Sequence, residues 1–512
     1  MSAQPSSSRI VAAAKLSLLA CSLAVLILRL PNHIWDPVNS IFVMTFGLIA
    51  LWRYLWWMTH FVRSRIYRLW VFPKKRILAD EIWNSGWRPS FLHFMVVTFR
   101  EQRETTEKVL ASIVEECRSS CVPGRIYVGT GDPWDEQIIE EYFATHAPEI
   151  EIDVVIVRQN QTGKRFAIGS VLRAISRHGV GPNDLAIFMD GDTIPDSGLI
   201  AKCAPMFALN PELGALTTDE RAIVAGPEWV QTWHDLRFAQ RRLAMESHSL
   251  SNKVLTLTGR LSLFRAEIAV NDDFIRTIEA DSLTHWLWGQ FRFMSGDDKS
   301  TWFWALRDGR QMMYVPDASC VTLENIGSNP WERLKHNLLR WSGNMLRNGT
   351  RAIALGPRRV GLFIWWCLID QRISMWTMLT GPLAAVAMSF LHGPQVLLAY
   401  FVWIICTRVM LSCVLFYYAG GVYLRFPFLL YLNQLVISMV KVHLLFRLSK
   451  QRWLNRGDQK AKHDTGQLLS FQQFMASFLT VFYIVLLVFM VAVYSGAVPL
   501  PRLDTLVWTW SR

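Results

Sequence analysis

"LAIFMDGDTIPD", Leu185 to Asp196, runs apolar residues into two carboxylates one residue apart, Asp190 and Asp192. A short apolar run of this kind reads as a strand buried on both faces, as in a largely parallel sheet. Such sheets present their ligand-binding residues at the carboxyl ends of the strands, where these two aspartates fall. Two negative charges placed there ask for a cation, and a hard divalent ion carrying a phosphorylated ligand takes oxygen donors of this type. The same tripeptide also fits a plain turn with a helix-capping aspartate.

The surrounding pattern extends the strand into a domain. Between about Trp87 and Thr350, short apolar runs alternate with amphipathic ones. "FLHFMVVTF", "GRIYVGT" and "EIDVVIV" predict strands; "ETTEKVLASIVEEC", "DEQIIEEYFATH" and "RFAIGSVLRAISRH" predict helices. With "LAIFMD" as a fourth strand, this is a soluble α/β domain with a mostly parallel sheet, expected over residues 85–350.

The flanks are different. The 512 residues are 51% hydrophobic with 23 Trp. Runs at Leu16–Leu30 and Val38–Met58 predict two N-terminal crossings within 1–60. Runs at Met375–Leu391, Gln395–Tyr418, Phe426–Phe446 and Phe471–Tyr494 follow the domain, the long ones near the roughly 20 residues that span a bilayer. The first run is not expected to be a cleaved signal, since a second follows at once with no small-residue cleavage site between. The basic stretch "HFVRSRIYRLWVFPKKR" after the second run places the domain in the cytoplasm, and "RLSKQRWLNRGDQKAKH", within the loop 448–468, belongs on the same side. An even number of crossings must therefore separate the two, yet three apolar runs lie there. Residues 351–392, with Asp370, Gln371 and Arg372 in the approach, are expected to lie in the interface, leaving 393–512 for the C-terminal crossings. The net charge of +12 follows from such basic flanks and gives no reason to expect nucleic-acid binding. Eight scattered Cys, without paired spacing, suggest neither a disulfide framework nor a zinc site.

Several residues could carry chemistry. "QTGKR" puts Lys164 and Arg165 at a helix start, where N–H groups and cations suit a diphosphate, although a solvated helix start would read the same way. "FMSGDDKSTWF" sets Asp297 and Asp298 before another helix, as caps or as a general base for an acceptor hydroxyl. "LKHNLLRWSGNML" sets Arg340 beside Trp341, either a membrane-interface anchor or a sugar-stacking face joined to a phosphate-binding cation. In "LTLTGRLSLFR", Arg260 could meet a sugar carboxylate or form a structural ion pair.

The order "TGKR", "DGD", "GDD" and "RW", framed by hydrophobic runs, resembles the processive membrane glycosyltransferases of family 2. "RFAQR", "LTGRLSLFR", "SGDDKSTWF", "YVPDA" and "DQRISMWT" are similar to the alginate-type mannuronan synthases, over nearly the whole chain. The resemblance implies a GT-A-like domain, GDP-mannuronate as donor, a growing polymannuronate product and Mg²⁺ or Mn²⁺ as metal. It implies Asp192 as metal ligand, Asp190 near the donor, Asp298 as base beside Asp297, and Arg340 and Trp341 on diphosphate and acceptor. Asn337 stands where the family's signature has Gln, and Arg260 stands where hyaluronan synthases have Pro. Trp453 and Arg456 resemble a cytoplasmic gating loop, with Asn455 in place of the usual Thr. A PilZ-domain, cyclic-di-GMP-binding co-polymerase and an inner-membrane location are also implied. The rival readings are the same architecture making a glucan or hyaluronan-like polymer, a non-processive enzyme glycosylating a lipid, and a transporter exporting a polymer made elsewhere.

Overall fold

Strand β4, Leu185–Asp190, forms as the apolar run requires, and all but its last residue are buried. The computed structural model describes residues 6–29, 48–146, 152–159, 163–325, 329–453, 459–460, 467–494 and 497–498. β4 is an inner member of an eight-stranded sheet in the order β3-β2-β1-β4-β7-β6-β10-β5. β1 (Leu92–Val97), β2 (Gly124–Thr130) and β3 (Asp153–Arg158) run parallel with it on one side. β7 (Leu261–Arg265) joins it antiparallel on the other. β6 (Leu213–Ala225) and the long β10 (Gln311–Asn325) pair parallel to each other, and the short β5 (Thr193–Pro195) closes that edge.

Helices Arg103–Ser120, Pro133–His146 and Lys164–His178 connect the parallel strands. Their apolar faces cover the sheet, so Leu92, Phe94, Val96, Ile126, Val128 and Ile187 are each at most 3% exposed. Truncating any of these to Ala would remove about 2–5 kcal/mol of transfer and packing energy. Every strand and helix expected between Phe91 and Asp190 is present, with bounds shifted by a few residues.

The register of β1 with β4 fixes the mouth of the sheet. Val97 pairs with Asp190, and the next residue, Gly191, donates its N–H to the Val97 carbonyl at 3.0 Å. A Cβ at Gly191 would lie 2.6 Å from the Cβ of Thr98, well inside contact distance. The glycine between the two aspartates is thus what lets the two strand ends close.

Two compact units divide the chain. One holds His60–Asp370 and Leu448–His463, including the whole sheet; the other holds Met1–Thr59, Gln371–Arg447 and Asp464–Arg512. Among the described residues, four helices are long and apolar enough to cross a membrane: Leu362–His392, Gln395–Ala419, Phe426–Leu445 and Leu468–Val493. Residues 16–29 of the first expected crossing lie in the helix Ser6–Arg29, and residues 48–58 of the second open the helix Leu48–Ile66. Residues 38–47 lie outside the described residues. The segment expected in the interface, 351–392, is built as a short helix, Gly356–Val360, and one unbroken helix, Leu362–His392. The second unit buries a cation: Arg408 is 8% exposed and donates to the Tyr54 hydroxyl at 3.3 Å. A buried charge in a spanning helix is costly without such partners.

Replacing Gly191 with Ala should cost roughly 1–3 kcal/mol through overpacking against Thr98. A lowered thermal midpoint together with a disproportionate loss of transfer activity is expected, because the displaced residues are Asp190 and Asp192. Wild-type activity at an unchanged midpoint would refute the close-approach argument.

Candidate active site

The carboxyl ends of β1 and β4 open into a cleft of about 1090 Å³. Its walls bring together Asp190, Asp192, Lys164, Asp297, Asp298, Arg340, Trp341 and Arg260, residues spread over almost 180 positions of sequence. One contact organises them. The Lys164 ammonium, at the first residue of its helix, lies 2.5 Å from Asp190 Oδ1 and 3.0 Å from Asp297 Oδ2. Burial alone would lower the Lys164 pKa, but the two carboxylates hold it above the ordinary lysine value. Gly259 borders this triad: a Cβ there would lie in ordinary contact, 3.5–3.7 Å, with Lys164, Asp190 and Asp297.

The two pairs of carboxylates are differentiated by their neighbours. Asp190 is held by Lys164, whereas Asp192 makes no ion pair among the described residues. Burial pushes Asp192 up to about 7, and the nearby charges of Asp190 and Glu101 add to the effect. An acidic side chain crowded by carboxylates, with Arg260 the cation acting against them and no ion pair of its own among the described residues, fits a hard divalent ion. In the other pair, burial would raise Asp297, but Lys164 and Arg165 pull it below the carboxylate range. Asp298 moves the opposite way: burial raises it, and the negative charge of Asp297 raises it further. A general base works best with a pKa drawn toward the operating pH, which marks Asp298 rather than Asp297.

Both aspartates begin the helix Asp297–Asp308 behind Gly296, whose φ of +83° favours glycine. A Cβ on Gly296 would also strike the Asn344 amide at 2.6 Å. Arg165 buttresses the same turn. It is 3% exposed and donates to the carbonyls of Ile278 and Ser295 and to Ser300 Oγ. The expectation that Arg165 binds a diphosphate is therefore corrected: the guanidinium is spent on buried acceptors and does not line the cleft. Successive side chains on a helix point about 100° apart, and here Lys164 lines the cleft while Arg165 turns into the core.

Arg340 and Trp341 come from the helix Pro330–Ala354. Arg340 donates to Asn337 Oδ1 at 3.3 Å, and burial lowers its pKa while Asp298, Asp297 and Asp190 act in the opposite direction. Trp341 stacks at 6.2 Å and 19° on Trp233, with the Arg237 guanidinium 4.0 Å and 4.8 Å from the two rings. Arg237 makes no ion pair or hydrogen bond among the described residues. Burial pulls it down to about 10, so it remains charged near neutrality. Arg237 was not singled out in the sequence reading. The spacing of Trp233, Arg237 and Arg241, four residues apart on one helix face, is the signal that could have found it. Arg260 is paired with Glu324 and, at 3.5 Å, with Glu220. Of its two readings, the structural ion pair describes this arrangement.

The segment leading to the expected gating loop is fixed to the base-bearing turn. Gln451 accepts from Met294 N at 3.0 Å and donates to the Arg292 carbonyl at 2.8 Å, while Arg347 donates to the Leu448 carbonyl at 2.9 Å. Trp453 pairs through its backbone with Gln459 in a two-stranded ribbon. Arg456 lies outside the described residues.

Residues 89–344, the sheet and this cleft, match the model of the family described as glycosyltransferase like family 2. Two curated relatives, each named glycosyltransferase alg8, match well beyond the domain. The one from Pseudomonas syringae pv. tomato is 39% identical over 86% of this chain and 89% of its own length. The one from Azotobacter vinelandii is 36% identical over 88% and 90%. The chain belongs to glycosyltransferase family 2. Within it the protein is of the alginate type, an enzyme with a GT-A-like domain flanked by membrane-capable helices. Among solved structures, a Pyrobaculum calidifontis mannosyltransferase in complex with GDP-Man and Mn²⁺ is similar at 17% identity, with a TM-score of 0.46, covering 77% of this chain and 98% of that one.

Asp298→Asn should leave nucleotide binding nearly unchanged and reduce turnover by roughly 10²–10⁴-fold, the usual range for a lost general base. Asp297→Asn should move the acidic limb of the pH–rate profile to lower pH, because removing its negative charge lets Asp298 ionise more readily. Initial rates measured against pH check both. A limb that stays in place or moves upward in Asp297→Asn would exclude the coupling.

Proposed function

We propose that this glycosyltransferase is a processive, inverting polymerase that transfers mannuronate from GDP-mannuronate to a growing β-linked polymannuronate and passes the product across the inner membrane. The observation that carries the reading is the cleft in which a lysine-bridged pair of acidic motifs faces a Trp233–Arg237–Trp341 stack. The acidic side suits donor activation. The aromatic and cationic side suits a chain of acidic sugars.

Asp192, with Asp190 beside it, would hold Mg²⁺ or Mn²⁺; when bound, such an ion neutralises charge on the departing nucleoside diphosphate. Arg340 faces the same leaving group and supplies fixed positive charge in a site shielded from water. Asp298 accepts the proton of the acceptor hydroxyl as that oxygen attacks the anomeric carbon. Attack opposite the departing diphosphate inverts that centre. Lys164 stays bound to Asp190 and Asp297 and keeps the donor and base sides in register.

Trp341 offers a ring face to the acceptor sugar. Arg237, close to both indoles, is the cation placed to receive a uronate carboxylate, a role from which Arg260 is withdrawn by its pairing with Glu324 and Glu220. A neutral hexose would give no reason to hold a guanidinium there. Among the rival readings, a transporter has no use for the paired aspartates. A PilZ-domain, cyclic-di-GMP-binding co-polymerase remains part of the proposal as the regulatory partner. The cytoplasmic placement of the domain rests on the basic segments at 60–76 and 448–468.

Membranes bearing the protein and its partners, incubated with individual radiolabelled sugar nucleotides, should form polymer from GDP-mannuronate and not from GDP-mannose. Arg237→Gln should lower kcat/KM for the uronate roughly 10- to 100-fold, the equivalent of one lost hydrogen bond to a charged group, with GDP affinity preserved. Polymer from a neutral donor alone, unaffected by Arg237→Gln, would defeat the acidic-sugar assignment. Orientation has its own check. A reporter active only in the cytoplasm, fused after Arg512, should be silent if the C-terminus is periplasmic; strong activity would mean that the helix Leu362–His392 crosses as well.

A further inference from the structure

Away from the cleft, the same unit gathers three soft or borderline donors from three distant stretches of sequence. His60 lies in the helix Leu48–Ile66, His248 near the end of the helix Glu228–Ser249, and Cys367 in the helix Leu362–His392. One ring nitrogen of each histidine and the cysteine sulfur lie within 4.8 Å of one another. Cys367 Sγ is 4.0 Å from His60 Nε2, and the two imidazoles meet edge to face with centroids 5.4 Å apart.

The details resemble a ligand set more than a packing accident. His60 Nδ1 is 3.0 Å from Ser247 Oγ. With Ser247 accepting from Nδ1–H, Nε2 presents its lone pair toward the sulfur, the arrangement by which an outer hydrogen bond fixes the tautomer of a metal-bound histidine. His248 is 5% exposed, and its buried Nδ1 has no hydrogen-bond partner. An unsatisfied ring nitrogen at that depth is a cost that a coordinate bond would remove. Cys367 is 4% exposed, so the position is shielded from casual oxidation.

We propose that His60, His248 and Cys367 form a zinc site, its fourth position left to water, that draws together the helix Glu228–Ser249 and the segments around His60 and Cys367. Two neutral imidazoles and a thiolate are a zinc-like donor set, whereas Mg²⁺ and Mn²⁺ prefer oxygen, so this site and the aspartate cleft would sort their metals by chemistry. Tetrahedral zinc with arms of about 2.3 Å to sulfur and about 2.0 Å to nitrogen sets the donors about 3.6 Å apart, so the sulfur and His60 need to close by only a few tenths of an ångström. As the Zn–S bond forms, the thiol proton leaves to solvent, and the site gains one net positive charge. Buried Asp370, one turn beyond Cys367, is a carboxylate close enough to the sulfur to offset that charge and the neighbouring Arg63. The inference does not depend on which sugar the enzyme transfers. It also departs from the expectation that these cysteines mark no zinc site, because its ligands are single residues from three segments, a pattern without sequence spacing.

The test is metal content of the full chain, purified in detergent and desalted into Mg²⁺-containing buffer after exposure to zinc. One zinc per chain should remain, fall to background in Cys367→Ser and in His248→Gln, and persist in Asp192→Asn. Retention of full zinc by Cys367→Ser, or zinc scattered among weak sites that no ligand substitution affects, would overturn the proposal as adventitious binding. If those variants fail to fold, the wild-type chain decides: replacing zinc with Co²⁺ should give a sulfur-to-cobalt charge-transfer band in the near ultraviolet and tetrahedral ligand-field bands in the visible. Bound Co²⁺ with neither feature, or no bound metal at all, would overturn it equally.

Discussion

A single ammonium joins the two acidic motifs of this enzyme. Asp190 ends a strand and Asp297 begins a helix more than a hundred residues later, and left alone the two carboxylates would repel each other across a low-dielectric cleft. Lys164 sits on both at hydrogen-bonding distance. Removing one partner from such a buried arrangement typically costs about 3–5 kcal/mol, because the remaining charges are left uncompensated. The relation between the donor side and the base side is therefore set by electrostatics as much as by the sheet. The close approach at Gly191 is the steric condition that sets the end of β4 where the bridge forms.

Around the bridge, polar contacts fix the turn that bears Asp298. Arg165 binds the carbonyl of Ser295 and the hydroxyl of Ser300, one on either side of Gly296-Asp297-Asp298. Ser300 in turn donates to Asp281 Oδ2 at 2.5 Å, and Asp281 is paired with Arg351 at 2.6 Å. Asn344 accepts from Ser295 Oγ at 3.0 Å and leaves no room for a side chain on Gly296. These groups make a buried network in which Arg165 Nε alone of the Arg165 nitrogens lacks a partner, and such networks favour one geometry over its neighbours because each broken bond strands another buried polar atom. The asymmetry within the acidic pair follows. Asp297 is committed to a cation, and its retained charge raises the proton affinity of Asp298.

The sequence made the sheet legible because period and composition agree there. Four apolar runs with intervening amphipathic helices permit little besides a parallel core, and the strands from Phe91 to Asp190 appear within a few residues of expectation. Asp190, Asp192, Lys164, Asp297, Asp298, Arg340 and Trp341 were all nameable from motifs, and the fold brings them into one cleft. The arginines were less legible. Sequence gives the charge of a guanidinium but not its partners: Arg165 finds carbonyl and hydroxyl acceptors 113 to 135 residues away, and Arg260 a counter-ion 64 residues away. Arg237 went unremarked for the converse reason: its neighbours Trp233 and Trp341 belong to different helices, and the stack exists only once those helices pack. The His60, His248 and Cys367 cluster is an extreme case, with no two of its members in one motif.

The contacts of Gln451 tie the chemistry to the later part of the chain. Gln451 exchanges hydrogen bonds with the backbone of Arg292 and Met294, two to four residues before Gly296, and Arg347 holds the neighbouring Leu448 carbonyl while also donating to Asn344. Displacement of the 448–453 segment would therefore remove support from the same Asn344 and Ser295 that fix the turn bearing Asp298. The base would then lose its orientation without any change in its own sequence. A segment so connected can report the state of the cleft or control it, because a hydrogen bond transmits restraint in both directions. This gives the basic loop following the membrane-capable helices a physical route to Asp298, through two side-chain amides and one guanidinium.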